Sequence, residues 1–274
     1  MLINISVVNE GFARMKGRQK PSIARDTNSM PIVRAVVSRA GASKEKVRRR
    51  RKPPRSPFGG FKKRTITTAQ LARRLASLVP EFGMMHRVWL KEEIDPGFRE
   101  ELMLAVSRLN GCRFCSWGHH EWAQISGVPD EELARLEQLD PSGFDRRKWL
   151  AISYVRALVK EDFERVQPEL RRAMQHKYSP EEIRQIELIA KVMDVGNRGS
   201  NTFDAMLSRL KGVPAADSRV IDEVILSGAF LAIAPMVVFY LSRTARRPFL
   251  EMARSLVDYT KNYEDKIARH GTSK

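Results

Sequence analysis

A chain of 274 residues is long enough for one or two domains with a proper hydrophobic core. Its net charge of +17 is unevenly placed: residues 1–64 hold 18 Lys and Arg against Glu10, Asp26 and Glu45, so the remaining 210 residues carry only +2. The charge therefore belongs to an arm, not to the folded body, and two cysteines three residues apart exclude the disulfide framework of a small secreted domain.

The opening MLINISVVNE is too short for a signal-peptide apolar region and has no basic segment before it, so no secretion signal is expected. From Gly11 to Arg64 apolar periodicity fades while Arg, Lys, Pro, Gly and Ser accumulate, ending in RRRRKPPRSPFGGFKKR. Such a segment cannot bury enough apolar surface to offset its chain entropy and reads as a disordered basic arm over 1–64. A polyanion is its natural partner, nucleic acid or an anionic membrane surface, although nothing here resembles a nucleic-acid-binding fold. A leader upstream of a later start such as Met30 accounts for it equally well.

The folded body begins at Thr67 or Thr68, where Leu71, Leu75, Leu78 and Val79 form a stripe at helical spacing that Pro80 closes. A short helix follows in EFGMMHRVWLKEEI, expected to pack over the cysteine pair; its His86 reads as a surface or core residue. Asp95 and Pro96 start the next helix as cap and first residue, with Glu100 and Glu101 assigned to the first turn. Asn110-Gly111 ends that helix, and Cys112 opens another that stops at Gly127. Beyond it, helices are predicted over Pro129–Leu139, over KWLAISYVRALVKE after Ser142–Asp145, and over Pro168–His176. The capping box at Ser179-Pro180-Glu181-Glu182 opens a long helix whose apolar face is interrupted by Asn197, Arg198 and Asn201. These three residues could line a pocket or form an interhelical hydrogen-bond network. No strand-like alternation of useful length occurs, so the body is predicted to be all-α.

Chemistry concentrates between Glu100 and Gly127, where spacings of three and four put Cys112, Cys115 and His119 along one helix face. A thiol at a helix N-terminus feels the positive end of the dipole, and an imidazole four residues on can take its proton; both favour the nucleophilic thiolate. Structural zinc needs four ligands, and the chain has no second cysteine pair. Haem attachment needs histidine where Ser116 stands, and a thioredoxin-type pair would follow a strand. Two cysteines buried passively in a core remain an alternative on spacing alone.

The run FREELMLAVSRLNGCRFCSWGHHEWA, Phe98–Ala123, resembles the alkylhydroperoxidase D (AhpD)-like branch of the carboxymuconolactone decarboxylase superfamily. The shared elements are Arg99-Glu100, the apolar helix ending in Asn110-Gly111, the CxxC at Cys112 and Cys115, and the histidine four residues after it. The resemblance extends more weakly to about Gly212 and covers neither end. It implies an AhpD-like helical domain over 65–218, with Cys115 peroxidatic, Cys112 resolving, and His119 and Glu100 relaying protons. It further implies subunit association, an external dithiol reductant, a hydroperoxide substrate, and neither cofactor nor metal. Where some members carry a second histidine this chain has Phe114, so the relay is expected to be shorter or to use His120 or water.

The segment 219–274 contains VILSGAFLAIAPMVVFYL, Val224–Leu241, which is 18 residues without a charge. At about 1.5 Å per residue this approaches the roughly 30 Å of a bilayer core. Pro235 and the Ser227-Gly228 pair would equally suit a helix buried between subunits. We read a cytoplasmic body whose C-terminal helix is inserted in, or rests on, a membrane, followed by an amphipathic tail with Phe249, Met252, Leu256 and Tyr259 facing a surface. The favoured function is a thiol-dependent hydroperoxide reductase. The alternatives are a non-catalytic redox-responsive protein associated with membrane or nucleic acid, and a carboxymuconolactone decarboxylase-like enzyme.

Overall fold

A computed structural model describes residues 61–138 and 140–263. The greater part of the basic arm, residues 1–60, and the last residues of the tail lie outside the described residues. The described chain is helical throughout and contains no strand. Its helices are α1 Thr68–Leu78, α2 Phe82–Trp89, α3 Pro96–Leu109, α4 Arg113–Ile125, α5 Asp130–Gln138, α6 Arg146–Lys160, α7 Pro168–Lys177, α8 Pro180–Leu210, α9 Val220–Ala245 and α10 Phe249–Lys261, with a 3₁₀ turn over Val79–Glu81.

Local chemistry sets most of these boundaries. Thr67 caps α1 and shares a reciprocal capping box with Gln70, while Ser179 and Glu182 do the same at α8, where Pro180 supplies a first residue that needs no hydrogen-bond partner. The Asp145 carboxylate accepts the amide hydrogens of Arg147 and Lys148 at the start of α6. At the end of α1 the chain tightens into the 3₁₀ turn after Leu78 rather than stopping at Pro80. Leu75 and Val79 of the expected apolar stripe stay exposed, and only Leu78 is buried.

The centre of the fold is α3, which packs on α4, α6 and α8. Its Leu102, Leu104, Ala105 and Val106 are fully buried among Ile152 and Val155 of α6 and Ile189 and Ala190 of α8. A helix buried around most of its circumference must lie inside a layer of others, which is why the flanking helices need present only one face. Of the residues expected to face inward on α6, Leu150, Ile152, Tyr154, Val155 and Leu158 are buried and Trp149 packs at the margin. A second, smaller core of Trp117, Val238, Leu241 and Met252 joins α4, α9 and α10. The amphipathic face of α10 meets this core, so the surface that Met252, Leu256 and Tyr259 cover is the protein's own.

Residues 61–64, the end of the expected disordered arm, are tied to the body. The Lys63 ammonium lies 2.7 Å from Asp204, and the Arg64 guanidinium donates to the Val159 and Lys160 carbonyls at the C-terminus of α6. Cations at that end of a helix meet carbonyls with no partner inside it.

Asp95 and Pro96 cap and open α3 as expected, but no acidic residue falls in its first turn. Glu100 and Glu101 lie one turn further in and are buried, so attraction to the helix dipole does not account for them. Glu101 meets the Lys148 ammonium at 3.0 Å, yet burial pushes its carboxyl up to about 8 from an ordinary 4.5, with Glu132 adding repulsion. A folded-state value above the unfolded one means stability is lost as pH rises, because the unfolded chain releases a proton that the fold retains. Glu101→Gln should therefore gain stability relative to wild type between about pH 5 and pH 8, by up to about 1.4 kcal/mol per pH unit. Urea titrations at successive pH values measure this, and parallel curves for the two proteins would contradict it.

Candidate redox site

The site is built where α3 turns into α4. Gly111 takes φ = +65°, the left-handed conformation that glycine adopts without strain, and the Cys112 amide donates to the Ser107 carbonyl at 3.0 Å. Cys112 is the N-cap of α4, with its Sγ accepting the Cys115 amide hydrogen at 3.3 Å. This geometry puts Cys115 in the first turn, where the helix dipole is strongest. The two sulfurs lie at disulfide distance across Cα positions 5.4 Å apart. Cys112 is fully buried, whereas Cys115 is only partly so.

One turn further along α4, His119 Nδ1 lies 2.7 Å from Glu100 Oε2. The other carboxylate oxygen accepts from Arg99 Nε at 3.1 Å, and Arg99 in turn donates to the Val88 carbonyl near the end of α2. So α2 reaches the site through Arg99. Burial pushes the Glu100 carboxyl up, but the His119 hydrogen bond and charge, together with Arg99, hold it below its ordinary value. Glu100 is therefore an anion at neutral pH, fixed against His119. An imidazole that donates Nδ1–H to a carboxylate keeps Nε2 free as a proton acceptor.

The structure thus brings together the four residues singled out in the sequence, two as a sulfur pair and two as a hydrogen-bonded pair on adjoining helices. His120 is separate: its Nδ1 lies 3.6 Å from Glu137 and its ring 6.1 Å from Tyr259. Phe114, between the cysteines, packs its ring against Phe203 of α8 and Phe230 of α9, at 5.6 and 4.9 Å between centroids. An apolar contact thus occupies the place where a second histidine would stand.

Sequence reasoning missed Ser200, whose Oγ lies 3.5 Å from Cys115 Sγ. The signal was present: Asn197, Ser200, Asn201 and Asp204 repeat at three and four and form a polar line on α8 facing the turn. Of the residues that interrupt this helix, Asn197 accepts from Ser107 Oγ at 3.2 Å, and Asn201 donates to the Asn110 carbonyl at 2.9 Å. Arg198 pairs with Asp194 at 2.9 Å, and Asn110 donates to the same carboxylate at 3.0 Å. Arg113, first residue of α4, meets Asp204 at 2.6 Å. The polar residues form an interhelical network that clamps the Asn110–Arg113 turn onto α8. Among the described residues no group of three or more His, Cys, Asp and Glu side chains is placed to hold a metal ion.

Comparison with protein-family models, with curated proteins and with solved structures found no match for this chain.

Proposed function

We propose that this chain is a thiol-dependent hydroperoxide reductase resembling the AhpD-like proteins, with Cys115 peroxidatic and Cys112 resolving. The observation that carries the reading is the coincidence of a sulfur pair at bonding distance with His119, one turn further along the same helix, hydrogen-bonded to the buried Glu100 of α3. In the first step His119 takes the Cys115 thiol proton, the resulting thiolate attacks the terminal peroxide oxygen, the O–O bond breaks, and the departing alkoxide receives that proton back from His119 to leave as alcohol. Cys115 is then a sulfenic acid. Attack by Cys112 forms the disulfide and releases water, and an external dithiol reduces the disulfide while becoming one itself. The exposure of the two sulfurs supports this order of roles, since an external peroxide reaches a partly exposed Cys115 before a fully buried Cys112.

In thiol titration with mass spectrometry, the reduced protein should show two titratable thiols, and one equivalent of hydroperoxide should convert them to an intramolecular disulfide. A dithiol should then restore both. A pair left reduced by stoichiometric peroxide would overturn the proposal. Rapid disulfide formation without sustained turnover in excess dithiol would favour the redox-switch alternative.

A further inference from the structure

The helix α9 is long and apolar enough to cross a membrane, yet it is packed lengthwise on the body, with about a fifth of its most apolar window, 22%, buried. Between Val220 and Phe239 every exposed residue is apolar, including Val224, Ile225, Leu231, Ile233, Met236 and Phe239. An unbroken apolar face of this length on a soluble surface marks something it binds.

We propose that α9 lies flat on an anionic lipid surface and that, given the hydroperoxide reductase reading, the substrate it presents to Cys115 is a peroxidised acyl chain of a membrane phospholipid. Charge selects this occupant. Exposed Lys211 and Arg219 stand at one end of the apolar face and exposed Arg243 and Arg246 at the other. The nearby acids are Asp217, Asp222, which lies 3.9 Å from Arg219, and Glu251, which is paired with Arg247. The Arg243 guanidinium sits 5.2 Å from the Phe239 ring centroid, so the charge borders the apolar face. A second copy packed on this face would bring arginine against arginine: Arg219 on Arg219 if parallel, Arg219 on Arg243 and Arg246 if antiparallel. Lipid phosphates instead neutralise both ends, and the +15 carried by residues 1–64 adds attraction of the same sign.

The body-side face of α9 argues for lying flat over spanning. Glu223, almost fully buried, meets Arg209 at 2.7 Å, and Asp222 accepts the Thr68 amide hydrogen at 2.8 Å. Val238 and Leu241 complete the second core beside Trp117. Turning α9 perpendicular to the body would unpair the carboxylates and open that core, whereas resting its outer face among lipid headgroups leaves both intact.

The docking face also adjoins the thiols. Phe114 lies between the two cysteines and touches Phe230 of α9, while Trp122, 5.9 Å from the His119 ring, neighbours Tyr240 at 6.2 Å. Helix α4 is thus in aromatic contact with the lipid-facing helix at both ends of the reactive segment.

The test is co-sedimentation of the full chain with vesicles of phosphatidylcholine and phosphatidylglycerol, comparing wild type with Ile225→Gln/Met236→Gln. Both positions are exposed, so folding should be retained. Vesicle binding should fall by at least about tenfold in the variant, and wild-type binding should weaken on pure phosphatidylcholine. The ratio of turnover on vesicle-borne phospholipid hydroperoxide to turnover on water-soluble tert-butyl hydroperoxide should fall in parallel. Wild type that fails to bind the vesicles, or a variant that binds them equally, would overturn the docking. So would a concentration-dependent dimer in sedimentation velocity that the variant dissolves, since a second copy would then be the occupant. If vesicle binding responds as expected but neither hydroperoxide is turned over, the reductase reading and the lipid substrate fail while the docking surface stands.

Discussion

Cys115→Ser should abolish hydroperoxide turnover, lowering the rate by at least about a thousandfold, while the fold remains intact. Serine keeps the size of the side chain, and besides its pairing with Cys112 the Cys115 sulfur meets Ser200 at 3.5 Å, a contact a hydroxyl can keep. Cys112→Ser should behave differently. The Cys112 sulfur accepts the Cys115 amide hydrogen as the N-cap of α4, and a serine oxygen is the better acceptor for that bond, so the turn should hold. This variant should consume one equivalent of peroxide and stop at a sulfenic acid on Cys115 that a dimedone-type reagent traps. Glu100→Gln, in the same assay, should slow the reaction by about a hundredfold without stopping it, because it removes the carboxylate that fixes His119 but leaves both thiols. Stopped-flow peroxide consumption with mass spectrometry reads all three. Turnover that survives in Cys115→Ser would assign the nucleophile elsewhere.

What the sequence discloses about this molecule depends on how local the physics is. Caps and turns are encoded by a few neighbouring residues, so the start of α8 at Ser179-Pro180 and the left-handed Gly111 could both be read before any coordinates. The arrangement of Cys112 and Cys115 is also local, since one helical turn fixes it. Glu100 and His119 sit on different helices, and composition alone gives no reason to join them; a resemblance pointed to the pair, and the packing of α3 on α4 brings it within hydrogen-bonding distance. Ser200 is harder still. It lies 85 residues from Cys115, and a serine in a polar line on a helix looks like any solvated position until the facing helix is known. The apolar tail segment shows the opposite limit: its length and hydropathy were plain, but whether α9 stands apart from the body or lies along it depends on Asp222, Glu223 and Leu241 finding partners on other elements. Likewise Glu100 and Glu101 look like first-turn acids when only Asp95-Pro96 is considered, and the fold puts them one turn deeper among buried partners.

Asp194→Ala should cost about 3–5 kcal/mol of stability, the largest loss expected from any single substitution in the polar network. Its carboxylate is fully buried and serves three helices: Arg74 of α1 at 3.0 Å, Arg198 of α8 at 2.9 Å, and Asn110 at the end of α3 at 3.0 Å. Removing it leaves Arg198, with only 12% of its side chain exposed, as a charge without that partner, and leaves the buried Asn110 amide without an acceptor. Arg198 retains Asp162, which limits the damage on that side. Arg74→Ala is the informative comparison. Arg74 is about a third exposed, and water replaces much of what it loses, so its removal should cost about 1 kcal/mol or less. The two variants should also differ at the thiols. Asn110 is held by Asp194 through its side chain and by Asn201 through its carbonyl, and it immediately precedes the Gly111 turn that presents Cys112. Loss of Asp194 should therefore slow peroxide-driven disulfide formation even in the fraction that remains folded, whereas loss of Arg74 should leave that rate near wild type. Urea unfolding read alongside the single-turnover rate separates the two effects. If Asp194→Ala proves as mild as Arg74→Ala in both measurements, α8 does not hold the cysteine turn, and the positioning of the sulfur pair must come from the packing of α3 and α4 alone.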